Sequence, residues 1–139
     1  MPTLVMFIGV PGSGKSTAAQ KFKSENPEFA DANIWEADMF FIDKDGIYNW
    51  NPTYLGMAHS WCKAQVRSDM IYDKNVIVSN TNLTPKERKP YFDLAKEYNY
   101  DVKVIYCDGG YKNIHNVPDE TIEKMKQRYI PFSSNELNR

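Results

Sequence analysis

Between Gly9 and Thr17 the chain reads GVPGSGKST, and this spacing of glycines, lysine and hydroxyl suits one chemistry, the cradling of a phosphate chain. Gly9, Pro11, Gly12, Ser13 and Gly14 make a turn that exposes successive backbone N–H groups, and a helix opening behind it adds its positive end. Lys15 then reaches the β- and γ-phosphates, the Ser16 hydroxyl can take magnesium, and Thr17 completes the nucleotide-binding stretch. ATP with Mg2+ is the expected ligand pair. A glycine turn that binds nothing would leave Lys15 and Ser16 together unexplained.

What becomes of the phosphate depends on other residues. Asp38, in WEADMFF, is either a turn or helix-cap residue or a carboxylate that takes a proton from an attacking hydroxyl. Tyr48 and Trp50, in DGIYNWNP, could stack on a base or close the core, and Trp50 is assigned to the core. His59 and Cys62 stand one helical turn apart, but two ligands are too few for a metal site. Lys86, Arg88 and Lys89 are the densest basic cluster, read as either a phosphate guide or an ordinary helix start.

These residues need a scaffold that brings them together. Residues 3–8 form an apolar run entering the glycine turn, which predicts a parallel strand buried on both faces. A helix is expected over 15–25, stopped by Asn26-Pro27, and a second strand over 34–37, closed by Asp38. Leu55, Ala58, Cys62, Val66 and Met70 recur at helical spacing within a helix spanning 53 to about 73. A third strand over 76–78 precedes Thr84-Pro85-Lys86-Glu87, a capping Thr, a first-position Pro and a Glu placed to reach back, opening a helix to about residue 98. Residues 102–106 make a fourth strand. Pro118 begins a last helix in which Ile122, Met125 and Tyr129 share a face. Alternation of strands and helices implies a parallel α/β sheet with helices on both faces. Ligands in such sheets gather beyond the carboxyl ends of the strands, where Asp38, Asn80 to Asn82 and Asp108 should join the glycine turn.

Bulk properties narrow the classes. At 139 residues one domain is expected. A formal net charge of -1 excludes the global positive field of a chain that coats nucleic acid, so a polyanion must meet a local patch. Cys62 and Cys107 have no metal-ligand spacing and the N-terminus shows no basic leader, so a reduced cytoplasm is the expected setting. No apolar run reaches the roughly 20 residues that span a bilayer. Oligomeric state is not legible. Residues 131–139 form a polar tail, expected to be loosely held.

GVPGSGKST, EADMFF, NTNLTPKERKPYFDLAKEYNYDV and NIHNVPDETIEKMKQRY, in this order from Leu4 to Tyr129, resemble the small P-loop kinases related to the phage polynucleotide 5′-hydroxyl kinase, a group that includes zeta-toxin-like and NTN-containing P-loop proteins. The resemblance implies a P-loop fold with a small parallel sheet, a kinase domain over 1–130 and a helical lid at about 109–130. By its matches Asp38 is the general base, Lys15 and Ser16 are the phosphate and metal residues, and Arg128, in KQRY, brings charge onto the transferring group from the lid, with Lys112 a second candidate. Lys124 and Lys126 read as a solvated face. The match around AHSWC makes His59 a candidate for lining the acceptor pocket, with Phe41, Tyr48, Asn80, Asn82 and Arg88 as further substrate-side candidates.

Two departures stand out. Phe41 replaces the Arg that the polynucleotide kinase uses to grip the acceptor phosphate, so acceptor recognition must differ. Ser79-Asn80-Thr81-Asn82 replaces a strand-end Asp, which leaves magnesium to Ser16, water and Asp38. The leading expectation is transfer of the γ-phosphoryl group to a nucleic-acid hydroxyl, either a 5′ terminus or a hydroxymethylated base. A nucleotide-binding switch acting on a partner protein and a nucleoside or small-metabolite kinase are the alternatives.

Overall fold

The computed structural model describes residues 1–108 and 119–137. Lys112, Pro118 and the first part of the expected lid lie outside the described residues.

Strand β1 (Thr3–Ile8) enters the glycine turn, and Leu4, Val5, Met6, Phe7 and Ile8 are all buried. Only a strand covered on both faces permits this unbroken burial. Helix α1 (Lys15–Glu25) follows, then β2 (Asn33–Trp35), α2 (Leu55–Ile71), β3 (Val76–Ser79), α3 (Pro85–Glu97), β4 (Asp101–Tyr106) and α4 (Asp119–Arg128). The four strands pair in parallel in the order β2-β3-β1-β4. Alternate residues of β1 and β3 serve opposite faces. Leu4, Met6, Ile8, Val76 and Val78 pack on α2 and α3 through Cys62, Val66, Tyr91 and Phe92. Val5, Phe7 and Ile77 pack with Ala19 of α1 and with Phe29. The expected parallel α/β sheet with helices on both faces is therefore the fold.

The strand order decides where a ligand can enter. From β1 the chain leaves by α1 toward β2, whereas from β3 it leaves by α3 toward β4, on the opposite face. Neighbouring strands whose continuations part in this way open a crevice at their carboxyl ends.

Several local expectations are corrected. The second strand ends at Trp35, and Asp38 lies instead in a 3-10 turn, Ala37–Phe41, because the Ala37 N–H leaves the ladder to donate to Asn80 Oδ1 at 2.8 Å. Trp50, assigned to the core, is 53% exposed. Leu55 is also exposed, since Pro52–Tyr54 forms a separate 3-10 turn ahead of α2. The tail is not loose over its described part. Phe132 and Leu137 pack against the core and Glu136 reaches a buried arginine.

Candidate active site

The glycine turn owes its shape to close approach and to backbone handedness. A Cβ on Gly9 would stand 2.3 Å from Ser13 Oγ and 2.6 Å from the Cys107 carbonyl oxygen, so no other residue fits. Gly12 and Gly14 have φ of 81° and 88°, values that side chains oppose. Two backbone bonds fix the turn between neighbouring strand ends. Gly9 N–H donates to Thr81 O at 3.1 Å and Cys107 N–H donates to Ile8 O at 2.8 Å. Gly14 precedes α1, so the turn delivers Lys15 and Ser16 at the positive end of a helix. Pro11, Gly12 and Ser13 complete the turn ahead of it, and Thr17 lies exposed on the first turn of α1.

Lys15 donates to the Val10 carbonyl at 3.2 Å. Burial lowers its pKa, while the charges of Glu36, Cys107 and Asp38 oppose the shift in that order. Two carboxylates thus lie within electrostatic reach of Lys15. The nearer in effect is Glu36, whose Oε1 accepts from Ser16 Oγ at 3.3 Å. Glu36 was a site residue missed in the sequence, where its signal was the pair of acids two positions apart in WEAD.

Asp38 Oδ1 accepts from the Tyr48 hydroxyl at 3.3 Å. Burial and the Asp38 charge push the Tyr48 phenol up to about 12, so it remains a donor at physiological pH. His59 is drawn into the same electrostatic neighbourhood. Burial lowers its pKa, opposed by Glu87 and Asp38, with Lys63 reinforcing the lowering. Hydrogen bonds join Lys15 and Ser16 to the glycine turn and Glu36, and Asp38 with Tyr48 lies within electrostatic reach of Lys15, whereas His59 is exposed on α2 and feels Glu87 more than Asp38.

Other candidates are used elsewhere. Arg88 is 0% exposed and cannot meet a substrate phosphate in this arrangement. Its guanidinium grips Glu136 at 3.0 and 3.1 Å and donates to the carbonyls of Asn82 at 2.7 Å and Ile130 at 2.8 Å. Asn80 is a buried brace: Oδ1 takes Ala37 N–H, and Nδ2 donates to Tyr91 Oη at 3.3 Å. Asn82 is buried in a left-handed turn with φ 48°. Phe41 is 6% exposed and lies under Tyr48, ring centroids 6.2 Å apart. In this arrangement all four expected substrate contacts are buried within the chain. Arg128 bonds Glu87 of α3, so its charge is held at the neighbouring helix start. Lys89 pairs with Asp93 at 2.7 Å, which leaves Lys86 as the exposed member of the basic cluster not drawn into an ion pair among the described residues.

Among the described residues no cluster of three or more His, Cys, Asp and Glu could hold a metal alone. A magnesium ion here would need the phosphate oxygens of the nucleotide as ligands. The protein groups fit that requirement. Ser16 and Glu36 offer oxygen only, as a hard cation prefers. Ser13 Oγ of the glycine turn and Ser79 Oγ at the end of β3 are both buried without a hydrogen-bond partner among the described residues, and Ser79 follows Ile77 by two positions on the α1 face of the sheet. No helix among the described residues is long and apolar enough to cross a membrane.

Residues 4–132 match the model of a family described as an AAA domain. NEDD4-binding protein 2 of Homo sapiens is 35% identical over 143 residues, covering 94% of this chain. The bifunctional polynucleotide phosphatase/kinase of Schizosaccharomyces pombe is 25% identical, covering 77% of this chain. The chain spans 8% and 21% of the lengths of these two relatives. Among solved structures, a chain of the Pnkp1/Rnl/Hen1 complex superimposes with a TM-score of 0.63 at 25% identity, covering 88% of this chain and 38% of that one.

Proposed function

This chain belongs to that AAA domain family, a P-loop kinase domain related to the polynucleotide kinases, and we propose that it transfers the γ-phosphoryl group of ATP to a hydroxyl on a nucleic acid, either a 5′ terminus or a hydroxymethylated base, with Asp38 as general base. The observation that carries this reading is Asp38 itself, bonded to Tyr48 at 3.3 Å and close enough to act on the charge of Lys15. A carboxylate whose charge is felt at the phosphate-binding lysine, and which an exposed tyrosine hydroxyl bonds, supports the assignment of Asp38 as the base for an incoming hydroxyl.

In the proposed reaction the acceptor hydroxyl gives its proton to Asp38 and its oxygen bonds the γ-phosphorus. The bond from that phosphorus to the bridging oxygen breaks, and ADP leaves with the electron pair. Lys15 and the N–H groups of the turn bind the phosphate oxygens and stabilise the charge that shifts toward ADP. Ser16 would hold magnesium, which would supply positive charge against the charge that develops on the phosphates. Arg128, once released from Glu87, supplies positive charge from the lid.

The similarity to a polynucleotide phosphatase/kinase supports the choice of acceptor, as does the segment carrying Tyr48. Tyr48, Trp50 and Tyr54 are exposed there, and flat aromatic faces bind unpaired bases without reading their sequence. The test is mass spectrometry after incubation with magnesium ATP and a panel of 5′-hydroxyl oligonucleotides, hydroxymethylated oligonucleotides and free nucleosides. Addition of one phosphoryl group to an oligonucleotide is expected. Phosphorylation of nucleosides alone would overturn the acceptor assignment, and release of ADP with no phosphorylated acceptor would overturn transfer altogether.

A further inference from the structure

We propose that Glu36 is the magnesium-side carboxylate of the nucleotide site, doing from the end of β2 what this chain has no acidic residue to do at Ser79 to Asn82, the end of β3. The proposal rests on the nucleotide-binding half of the function above and is independent of the acceptor.

Three observations converge. Ser16 Oγ donates to Glu36 Oε1 at 3.3 Å. A serine hydroxyl that gives its proton to a carboxylate keeps its lone pairs for a cation, and an outer carboxylate of this kind orients the ligand and raises its basicity. Secondly, Glu36 is the foremost of the charges acting against the burial of Lys15, ahead of Asp38. Its charge is therefore felt at the phosphate-binding site itself. Thirdly, the strand end that could have carried an acid reads Ser79-Asn80, with Ser79 Oγ buried and without a partner among the described residues and Asn80 committed to the Ala37 N–H. That Asn80 bond also sets the position of Glu36, because it holds the backbone immediately after it. Asp38 is left for the acceptor side, where Tyr48 holds it.

The assignment makes an opposite-signed prediction. Without magnesium, Glu36 repels the phosphates; with magnesium, it helps hold the cation between them and Ser16. Calorimetric titration of the full chain with adenylyl imidodiphosphate, in magnesium and in EDTA, reads both. In Glu36→Gln the magnesium-dependent gain in affinity should shrink about 10-fold, the scale of losing an outer carboxylate, while affinity in EDTA stays level or rises. An unchanged magnesium gain in a folded variant would make Glu36 a cap of the 3-10 turn and overturn the proposal. Should Glu36→Gln fail to fold, the native protein answers instead. Iron(II) in place of magnesium, with the same nucleotide, ascorbate and peroxide, should cut the backbone beside Glu36 as well as Ser16. Cleavage at Ser16 without a fragment ending near Glu36 would equally reject it. Failure of phosphoryl transfer to any acceptor would touch neither measurement.

Discussion

Tyr48 donates its hydroxyl to Asp38 Oδ1 across 3.3 Å, joining an exposed loop to the 3-10 turn beyond β2. With the phenol pushed up to about 12, Tyr48 keeps its proton to donate at physiological pH. It holds the Asp38 carboxylate by its Oδ1. Asp38→Asn should cut turnover by about 10²–10⁴, the usual share of a general base, with nucleotide affinity retained. Tyr48→Phe should cost about tenfold in turnover, the lower range for a hydrogen bond to a charged group. Steady-state kinetics beside calorimetry check both; an Asp38→Asn protein that turns over normally would reassign Asp38 to the turn.

Lys15 gives a pH dependence. Burial lowers its pKa below the usual 10.5, so the folded protein releases this proton before the unfolded chain does. Between the lowered value and 10.5 the unfolded state binds more protons, and the Lys15 contribution to stability rises with pH there. Nucleotide binding needs the charged form and should weaken across that same window, with proton uptake on binding. Titrations in buffers of different ionisation enthalpy would reveal the uptake, and its absence in native protein would contradict the depressed value. Lys15→Ala should abolish the uptake and lower affinity about tenfold or more, as for loss of a charge-assisted bond.

Arg88 and Glu136 tie the tail to the core. Removing one member of a buried pair strands the other charge and costs about 3–5 kcal/mol, so Glu136→Ala should lower unfolding stability toward that range. Chemical denaturation measures it. A loss under about 1 kcal/mol would mean that the pair is screened like a surface bridge. Nucleotide affinity should hold wherever the protein remains folded.

Arg128 and Glu87 are both partly exposed, and such a pair adds at most about 1 kcal/mol. Arg128→Ala should therefore leave thermal stability almost unchanged. If Arg128 moves to the phosphoryl group as charge develops, turnover falls while nucleotide affinity does not. Equal losses in both would make it a ground-state contact, and no loss in either would leave it only a surface partner of Glu87.

Much of the fold was legible because its signals are local. An unbroken apolar run marks β1, and alternation with helices forces a parallel sheet. The capping group Thr84 to Glu87 appears as expected: Thr84 Oγ1 accepts from Glu87 N–H at 3.3 Å, and Glu87 Oε2 reaches back to Leu83 N–H at 2.7 Å. Boundaries failed where a distant side chain took over a backbone group, as Asn80 does at Ala37.

The sequence by itself determined the phosphate turn, since the handedness of Gly12 and Gly14 and the placement of Lys15 and Ser16 are properties of contiguous residues. It also determined the sheet class and marked Asp38. Only the tertiary structure decided what the charges do. Arg88, open to reading as a phosphate guide or an ordinary helix start, meets Glu136, 48 positions away; Glu36, unmarked in the sequence, meets Ser16, 20 positions away. A charge keeps the same identity on a surface or in a core, and its role follows from burial and from the partner that packing brings within about 3 Å. That partner is chosen by strand order, which no short stretch of sequence contains.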